Sequence, residues 1–584
     1  MIQKRNVNAR KYTNCQLDKD GRRVVYSVRC QTLHIKEIEE EAMKKRFLSA
    51  FLCLAMAASM LAGCGGSTQT AETSAKTETE AKAEEKAEAK TEETKAAETA
   101  ANRVAGIDGV LTYAIGGDTG NTLNPITADD RWGLMTCHLT YAPAYYINQD
   151  GSVDYILAES MDADDTGLVY TMKLKDGLLW SDGEALTADD VVYSYDCVNS
   201  VNGNLYVDEQ PIKVEKIDDL TVQFTLPAVC ASAFELLSSE VSIIPKHIFE
   251  AKGSYDINML EEEVVGCGPY VLAEYSTGQY LKFTKNENYA GGVANIDTIV
   301  FKIIESNDTA TLALQNGEID IWVGSPDMLD PYTDNDAFNI TNYSEGRVAY
   351  MRVNPNTVQD KNYRSGILYA VDRAEIMTAA YTDPSFYELG YSFLPYTNEY
   401  YSTDVEKWDQ DIEKAKELTA GGPTDLKLCY VGEDGVQTNM ALTIQAELKV
   451  IGINVELCGL NQAAYMAAAY DTTNTEYDMF LGGYVMGIDP DMYSSLFMTS
   501  KMDMMFYDND TIDQLFINGN ATLDKAERTE IYNELQKAVS EEAIFYPFGT
   551  NLRTIVTNAR VGGLDDAKFA AIYTFGDYSK LTLE

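Results

Sequence analysis

Residues 157–198 read LAESMDADDTGLVYTMKLKDGLLWSDGEALTADDVVYSYDCV, and this stretch decides the prediction of the fold. Short apolar runs at Val169–Leu174 and at 178–180 predict strands, because each is followed by a turn of the Asp-Gly type. Thr187 then opens an S/T-x-x-D pattern with Asp190, in which the hydroxyl caps a helix and the acid favours its amino end. The stretch therefore predicts strands followed by a capped helix.

The rest of the chain alternates strand patterns with helix patterns. Strand patterns cover residues 295–305, 318–322, 347–354, 426–431, 454–457 and 477–484, and helix patterns cover 308–317, 365–381, 439–451 and 462–470. This alternation predicts a parallel-rich α/β sheet in at least one lobe. Ligands of such sheets bind outside the carboxyl ends of the strands.

The amino-terminal part predicts export and a lipid anchor. Residues 43–64 read MKKRFLSAFLCLAMAASMLAGC, with a basic start, an apolar run too short to span a bilayer with ease, and a lipobox that ends at Cys64. We expect diacylglycerol on Cys64, where each buried methylene contributes about 0.8 kcal/mol to anchoring. Residues 1–42 do not fit a signal, so we expect translation to begin at Met43. The alternative is a genuine cytoplasmic extension.

Residues 65–106 predict a flexible tether that precedes the globular part of the chain at 107–584. The segment is an Ala/Glu/Lys/Thr repeat that holds almost no large apolar side chain and so cannot bury a core. As a coil its mean reach is roughly 35 Å.

The charge of the chain argues against partners with negative charge. The formal net charge is -45, and it divides into +6 over residues 1–64 and -51 over the remainder. A surface of this sign repels nucleic acid and anionic lipid. We interpret it as the solvated acidic surface of an exported protein.

Metal, redox and catalytic patterns are weak in this sequence. The three histidines lack metal-site spacing, and the ten cysteines include no C-x-x-C pair. The six cysteines after Cys64 either pair or act as small buried apolar groups. Nucleophile-elbow, zincin and phosphate-loop motifs do not occur, so we expect no catalytic residues, no metal and no cofactor.

An ordered series of short motifs covers residues 107–584. Besides 157–198, the motifs are LNP at 123–125, GCGPY at 266–270, a strand–helix–GEID segment at 295–322, a D…R…DR segment at 360–373, a helix with EKAKEL at 412–421, YD and DPD within 477–491, and an R…Y…Q…P segment at 528–547. The series resembles bacterial extracellular solute-binding proteins of family 5, which include the oligopeptide- and dipeptide-binding proteins of ABC importers.

The resemblance implies an α/β fold of the two-lobed periplasmic-binding-protein type II, with an extra subdomain in the larger lobe. Lobe 1 is expected at roughly 107–345 and 530–584, and lobe 2 at roughly 346–529. The implied protein is a monomeric, membrane-anchored, extracytoplasmic lipoprotein that captures peptides and delivers them to ABC permease and ATPase subunits. The alternatives are non-peptide cargo (an oligosaccharide, a nickel chelate or an opine-like compound), a ligand-presenting sensor partner, or an enzyme.

Two departures from the peptide-binding pattern bear on the cargo. The stretch before Asp489 reads YVMGI and lacks the acid that holds a ligand's α-amino group in peptide-binding relatives. The stretch 437–439 lacks the arginine that holds a short peptide's carboxylate. The resemblance therefore implies a site without the two charged clamps of a dipeptide site.

Six residues are candidates for ligand contact through this resemblance, each with a structural alternative. Tyr484 is either a cleft aromatic or a core residue, Asp489 either a ligand group or a helix cap, and Arg347 either a cleft cation or half of a surface ion pair. Trp132 and His138 follow the LNP motif in a loop that approaches the cleft in relatives. Asn461 falls where dipeptide binders have a cleft tryptophan, so its smaller side chain predicts a wider pocket.

Overall fold

The computed structural model describes residues 15–17, 23–25 and 109–584, apart from residues 121, 129, 202–204, 209, 239–240, 254, 256, 325, 500 and 502–508. The predicted signal at 43–64, the lipobox cysteine Cys64 and the tether at 65–106 lie outside these residues. In an amino-terminal unit of its own, two short strands pair antiparallel. In the part that is described, no helix is long and apolar enough to cross a membrane.

In chain order the strands are β1 Cys15–Leu17, β2 Arg23–Val25, β3 Val110–Ile115, β4 Tyr145–Ile147, β5 Val153–Tyr155, β6 Ala158–Ala163, β7 Val169–Leu174, β8 Tyr206–Val207, β9 Gln210–Pro211, β10 Lys213–Asp218, β11 Thr221–Thr225, β12 Tyr270–Ser276, β13 Tyr280–Lys285, β14 Thr298–Ile303, β15 Ile321–Gly324, β16 Phe338–Val353, β17 Tyr387–Leu389, β18 Asp425–Val431, β19 Asn454–Leu460, β20 Met479–Tyr484, β21 Phe545–Asn558, β22 Val561–Gly562, β23 Phe569–Ala570, β24 Thr574–Phe575 and β25 Thr582–Leu583.

The α-helices are α1 Arg131–Thr140, α2 Ala188–Val201, α3 Ala233–Leu236, α4 Lys246–Lys252, α5 Asn307–Gln315, α6 Lys361–Ala370, α7 Arg373–Tyr381, α8 Ile412–Thr419, α9 Gly435–Val450, α10 Gln462–Ala469, α11 Ser494–Phe497, α12 Asp510–Ala521, α13 Lys525–Glu541 and α14 Leu564–Ala567. Single 3-10 turns occupy Met259–Glu261, Pro326–Met328, Pro384–Phe386, Pro490–Tyr493 and Tyr578–Lys580.

One sheet of eleven strands runs through both lobes. Its order is β12-β13-β14-β3-β15-β21-β16-β20-β18-β19, with β17 paired to β21. In the first lobe β3 runs parallel to β14 and β15, and in the second lobe β18 runs parallel to β19 and β20. Parallel strands were predicted in at least one lobe, and the structure has them in both.

Two long antiparallel strands, β16 and β21, connect the lobes. Their pairing extends from Phe338 opposite Asn558 to Arg352 opposite Phe545, with register shifts between Ser344 and Val348 and between Ala349 and Tyr350. We call this irregular stretch, residues 344–348 and 549–553, the crossing. Because both lobes are built on the same two strands, a change of pairing at the crossing changes the angle between them.

The residues between β3 and β12 form the extra subdomain. Four strands pair antiparallel in the order β10-β11-β7-β6, and α2 packs on them around the fully buried Trp180. The predicted capping pattern is confirmed as a reciprocal capping box: the Asp189 amide donates to the Thr187 hydroxyl (3.3 Å) and the Thr187 amide donates to the Asp190 carboxylate (2.9 Å).

Two predicted elements differ from the structure. The helix predicted at 365–381 is two helices, α6 and α7, because Val371 is extended and the Asp372 side chain caps α7 by accepting from the amides of Ala374 and Glu375. The strand predicted at 178–180 is reduced to one bridge between Leu179 and Ala185. The turn that follows directly leaves too few residues for a second pair of bridged residues.

The second lobe buries one carboxyl group without a charge partner. Glu447 lies on α9 with 7% of its surface exposed, and one of its oxygens accepts from the Asp372 amide at 3.0 Å. The other oxygen has no hydrogen-bond partner among the residues described. Burial, with nearby Glu375 and Asp372, raises the pKa of Glu447 to about 8.

This carboxyl makes the stability of the protein depend on pH. Because the pKa of Glu447 is raised from 4.5 to about 8 on folding, its contribution to stability is full below about pH 4.5 and is lost as the pH rises through about 8. Glu447→Gln, which mimics the protonated acid, should match the wild type near pH 5 and exceed its free energy of unfolding by about 1–3 kcal/mol at pH 9.

Urea unfolding of both proteins between pH 5 and 9 measures this difference. Glu413→Gln, an exposed residue on α8, serves as the control and should show the wild-type pH dependence. A constant difference between Glu447→Gln and the wild type at every pH would contradict the prediction.

Candidate ligand-binding site

In the first lobe, Trp132 lies at the carboxyl end of β3. The strand ends at Ile115, and the indole of Trp132 lies against the two glycines that follow: a Cβ on Gly116 would approach it to 3.0 Å and a Cβ on Gly117 to 2.6 Å. Asp130 sets the start of α1 by accepting from the amides of Trp132 and Gly133. A side chain at position 117 would displace the indole, so glycine is required there.

In the second lobe, Asn461 and Tyr484 lie at the carboxyl ends of β19 and β20, two parallel strands on either side of β18. Asn461 follows β19, is exposed, and caps α10 by accepting from the Ala464 amide at 2.9 Å. Tyr484 ends β20 and is buried, its hydroxyl donating to the Phe393 carbonyl at 2.6 Å and its ring stacked on Phe545. In this arrangement Tyr484 packs in the core of the second lobe, and its contact with ligand stays a prediction.

Arg347 lies at the crossing beside the end of β20. Its guanidinium rests on Gly483, where a Cβ would come within 2.3 Å of Cζ. One Nη donates to the Asn551 side chain at 3.3 Å, and the guanidinium also lies beside the Tyr381 hydroxyl. No carboxylate of the described residues is within 4.0 Å of it.

A buried carboxylate holds the first-lobe side of the crossing. Glu345 has a side chain only 1% exposed and accepts a bidentate pair of hydrogen bonds from Arg131, at 2.8 and 2.9 Å. It also accepts from the Ile572 amide at 3.2 Å, and Arg553 lies 3.6 Å from it. Four separate segments therefore meet at this one carboxylate.

His138 is not brought together with the other candidates. Its ring is stacked on Tyr573 at 4.4 Å, and Nε2 lies 2.9 Å from the Gly576 carbonyl. Burial lowers its pKa, so the imidazole is neutral near pH 7. These contacts tie α1 to the carboxyl-terminal segment of the first lobe.

Asp489 is paired with a cation of its own lobe. Both of its oxygens accept from Arg528 at 2.8 Å, and one also caps the turn Pro490–Tyr493 by accepting from the Asp491 amide at 2.9 Å. Burial acts to lower the pKa of Arg528, but the contact with Asp489 outweighs it and the pKa is raised. Asp489 therefore presents a neutralised carboxylate. Sequence reasoning missed Arg528 as the partner, although it opens the R…Y…Q…P motif.

The extra subdomain reaches the same turn through Glu235. Its two carboxylate oxygens accept from the amides of Ile488 and Asp489, at 2.8 and 2.7 Å. A Cβ on Gly487 would be 2.2 Å from this carboxylate, so the close approach requires glycine. No local pattern in the sequence indicates this contact, because its partners are more than 250 residues apart.

Further hydrogen bonds surround this contact. The Ala231 amide donates to the Asn520 carbonyl at 2.7 Å, and the Ser232 hydroxyl lies 3.2 Å from the Asn520 side chain and 3.3 Å from Asp491. Burial raises the pKa of Asp491 to about 6. We call residues 231–235, 488–491 and Asn520 the interlobe clasp, since they join the extra subdomain to the second lobe.

Three of the candidates lie at the carboxyl ends of parallel strands, where α/β sheets bind ligands. These are Trp132 beside β3, Asn461 after β19 and Tyr484 at the end of β20, and Arg347 of β16 lies beside the end of β20. Within the described ranges, no group of three or more His, Cys, Asp or Glu residues could hold a metal ion. Two lobes that share the strands β16 and β21, with parallel strands in each, have the architecture of a solute-binding protein.

The chain belongs to family 5 of the bacterial extracellular solute-binding proteins. The family model described as "Bacterial extracellular solute-binding proteins, family 5 Middle" matches residues 153–504. The resemblance in sequence and the predicted two-lobed fold are thereby confirmed. Members of this family bind solutes for transport and are not enzymes, which confirms the prediction that the chain carries no catalytic activity.

Three known proteins illustrate the relationship. The ABC transporter substrate-binding protein CtaP of Listeria monocytogenes superposes with a TM-score of 0.77 at 36% identity, over 81% of this chain and 99% of its own. The oligopeptide-binding protein AppA of Bacillus subtilis is 26% identical over 68% of this chain and 78% of its own length. The nickel-binding periplasmic protein of Escherichia coli is 24% identical over 75% of this chain and 88% of its own length.

The interlobe clasp predicts a measurable effect of Glu235 on lobe closure. Glu235→Ala removes a charged acceptor from two amides, and each such hydrogen bond stabilises the closed arrangement by about 1.5–3 kcal/mol. The ligand-free variant should therefore populate an open form and show a larger radius of gyration than the wild type in small-angle scattering. Glu250→Ala, an exposed residue of the same subdomain, should scatter like the wild type. Equal radii for all three proteins would refute the role of the clasp.

Proposed function

We propose that this protein is the lipid-anchored substrate-binding subunit of an ABC importer, and that it captures peptides and delivers them to the permease. The observation that carries the proposal is the position of Trp132 and Asn461 at the carboxyl ends of parallel strands, one in each lobe, with Arg347 beside the end of β20. Family membership supports the role in transport, and the relative named as oligopeptide-binding supports peptide cargo.

In the proposed cycle the two lobes close on the ligand and open to release it. Lobe 1 comprises roughly residues 107–345 and 530–584, and lobe 2 roughly 346–529. The crossing acts as the hinge, and the interlobe clasp forms only when the lobes meet. Ligand between the lobes adds contacts to the closed form and so shifts the population towards it.

Each candidate residue has a proposed part in this cleft. Trp132 is proposed to offer an apolar ring to ligand side chains, and the small side chain of Asn461 to leave room for the ligand. Tyr484 is proposed to support the end of β20, along which an extended peptide backbone forms hydrogen bonds. Asp489, neutralised by Arg528, shapes the turn beside the cleft. His138 is proposed to act indirectly, because its contacts fix the position of α1 and thereby that of Trp132.

The length of the peptide is the first test of the cargo. Because Asp489 is paired with Arg528 at 2.8 Å, it offers no free charge to a ligand's α-amino group. Enclosing an unpaired ammonium costs several kcal/mol, whereas a longer peptide keeps that end near solvent. We expect dipeptides to bind weakly and peptides of five to eight residues to bind with micromolar or tighter affinity.

Calorimetry with dipeptides, longer peptides and oligosaccharides distinguishes the candidates. Micromolar binding of ordinary dipeptides would contradict the argument about the unpaired amine. Binding of oligosaccharides or nickel chelates alone would replace peptides as the cargo and leave the transport role standing. Mass spectrometry of compounds released by denaturing fresh protein identifies the natural ligand directly.

The membrane anchor is tested at Cys64. The lipobox predicts acylation of this thiol, so Cys64→Ala should remain an unprocessed precursor or leave the membrane for the medium. Metabolic labelling with a fatty acid should mark the wild type and not the variant. A wild-type protein without label would rule out the anchor, and Cys53→Ala, in the apolar run of the signal, is the matched control that should still be labelled.

A further inference from the structure

The crossing carries an excess of positive charge in a protein of formal net charge -45. The crossing contains two arginines, Arg347 and Arg553, and one buried carboxylate, Glu345, to which Arg131 of α1 is bound. Arg131 is bound to Glu345 through two hydrogen bonds, so the charge of the carboxylate is already balanced. Arg347, with Arg553 at a longer 3.6 Å from Glu345, supplies the excess.

Arg347 has hydrogen-bonding capacity left for a ligand. An arginine carries five N–H donors in a planar fork that fits a carboxylate. Among the described residues, the contacts of Arg347 are with the Asn551 side chain and the Tyr381 hydroxyl, which leaves other N–H donors of the fork for a ligand. The neighbouring acid Glu388 pairs with Thr550 on β21, so by strand alternation it points to the face opposite that of Asn551.

The position of Arg347 depends on a glycine beside it, because a side chain at that glycine would clash with the guanidinium. The guanidinium lies on Gly483, where a Cβ would come within 2.3 Å of Cζ, and Asn551 orients it from the other side. It stands one residue from the carboxyl end of β20, where ligands of parallel strands bind. The group is partly buried, so an anion beside it is screened less than on the surface.

We infer that Arg347, positioned by Asn551 and Gly483, is an anion subsite in the cleft, and that the cargo carries a carboxylate that this arginine binds through paired N–H groups. The inference rests on the proposed binding of peptides in the cleft. A peptide offers a carboxylate either at its carboxyl terminus or on an acidic side chain.

Calorimetry with four pools of random hexapeptides tests the inference. The pools have a free or an amidated carboxyl terminus, each with or without Asp and Glu, and the proteins are the wild type, Arg347→Gln, Arg347→Lys and Lys416→Gln. Lys416 is an exposed residue on α8, away from the crossing, and its variant should match the wild type. Melting temperatures near that of the wild type show that the Arg347 variants fold.

We expect the wild type to bind pools that carry a carboxylate about tenfold or more tightly than the pool that carries none. Arg347→Gln should abolish this difference, and Arg347→Lys should keep part of it, since charge remains and the planar fork is lost. If the amidated pool that contains Asp and Glu also loses affinity in Arg347→Gln, the carboxylate is that of a side chain. If only the free-acid pools lose it, the carboxylate is the terminus.

Other results overturn the inference in distinguishable ways. Equal binding of all four pools, or an Arg347→Gln protein with wild-type preference, removes the anion subsite and leaves peptide capture intact. Failure of every pool to bind the folded wild type removes both the subsite and the proposed cargo.

Discussion

Everything in this molecule that bears on binding depends on two strands that belong to both lobes. β16 and β21 pair along nearly their whole length, but their register shifts where they pass from one lobe to the other. At that point a carboxylate with a side chain 1% exposed, Glu345, must be compensated because an unpaired buried charge is expensive. Its partners come from α1, from β21 and from the segment around Ile572, so one charge organises the first-lobe wall of the cleft.

The acidic groups near the cleft are already engaged with the protein itself. Asp489 is neutralised by Arg528, and Glu235 is bound by two backbone amides across the interlobe clasp. Relatives differ in cargo, and in this chain the pairing of Asp489 with Arg528 leaves no free charge on that acid for a ligand's amino group. In the proposed cleft, the acidic surface disfavours anions at long range, whereas Arg347 attracts an anion at short range.

The sequence alone predicted the fold class and most elements because these depend on local periodicity and capping. The capping box at Thr187 and the strand at Val169–Leu174 follow from neighbouring residues. The break between α6 and α7 was missed because the continuous apolar pattern was given more weight than the capping by Asp372. The strand pattern at 454–457 indicated the strand that Asn461 follows. The prediction of a loop for Trp132 and His138 is wrong, because both lie in α1, where the Asp130 side chain caps the helix. The clasp, the Asp489–Arg528 pair and the role of Glu345 join distant segments, so no window of sequence contains them.

The thiols of the globular part have a consequence for how the protein matures. Five of the six cysteines after the lipobox are buried, the sixth, Cys458, is partly buried, and all six are unpaired in the described part of the chain. They serve as small apolar side chains, and burial raises the pKa of Cys267 to about 12, which leaves almost no reactive thiolate at neutral pH. The fold of the described residues therefore forms without oxidation of any of these six thiols, so a reducing and an oxidising environment should support it equally.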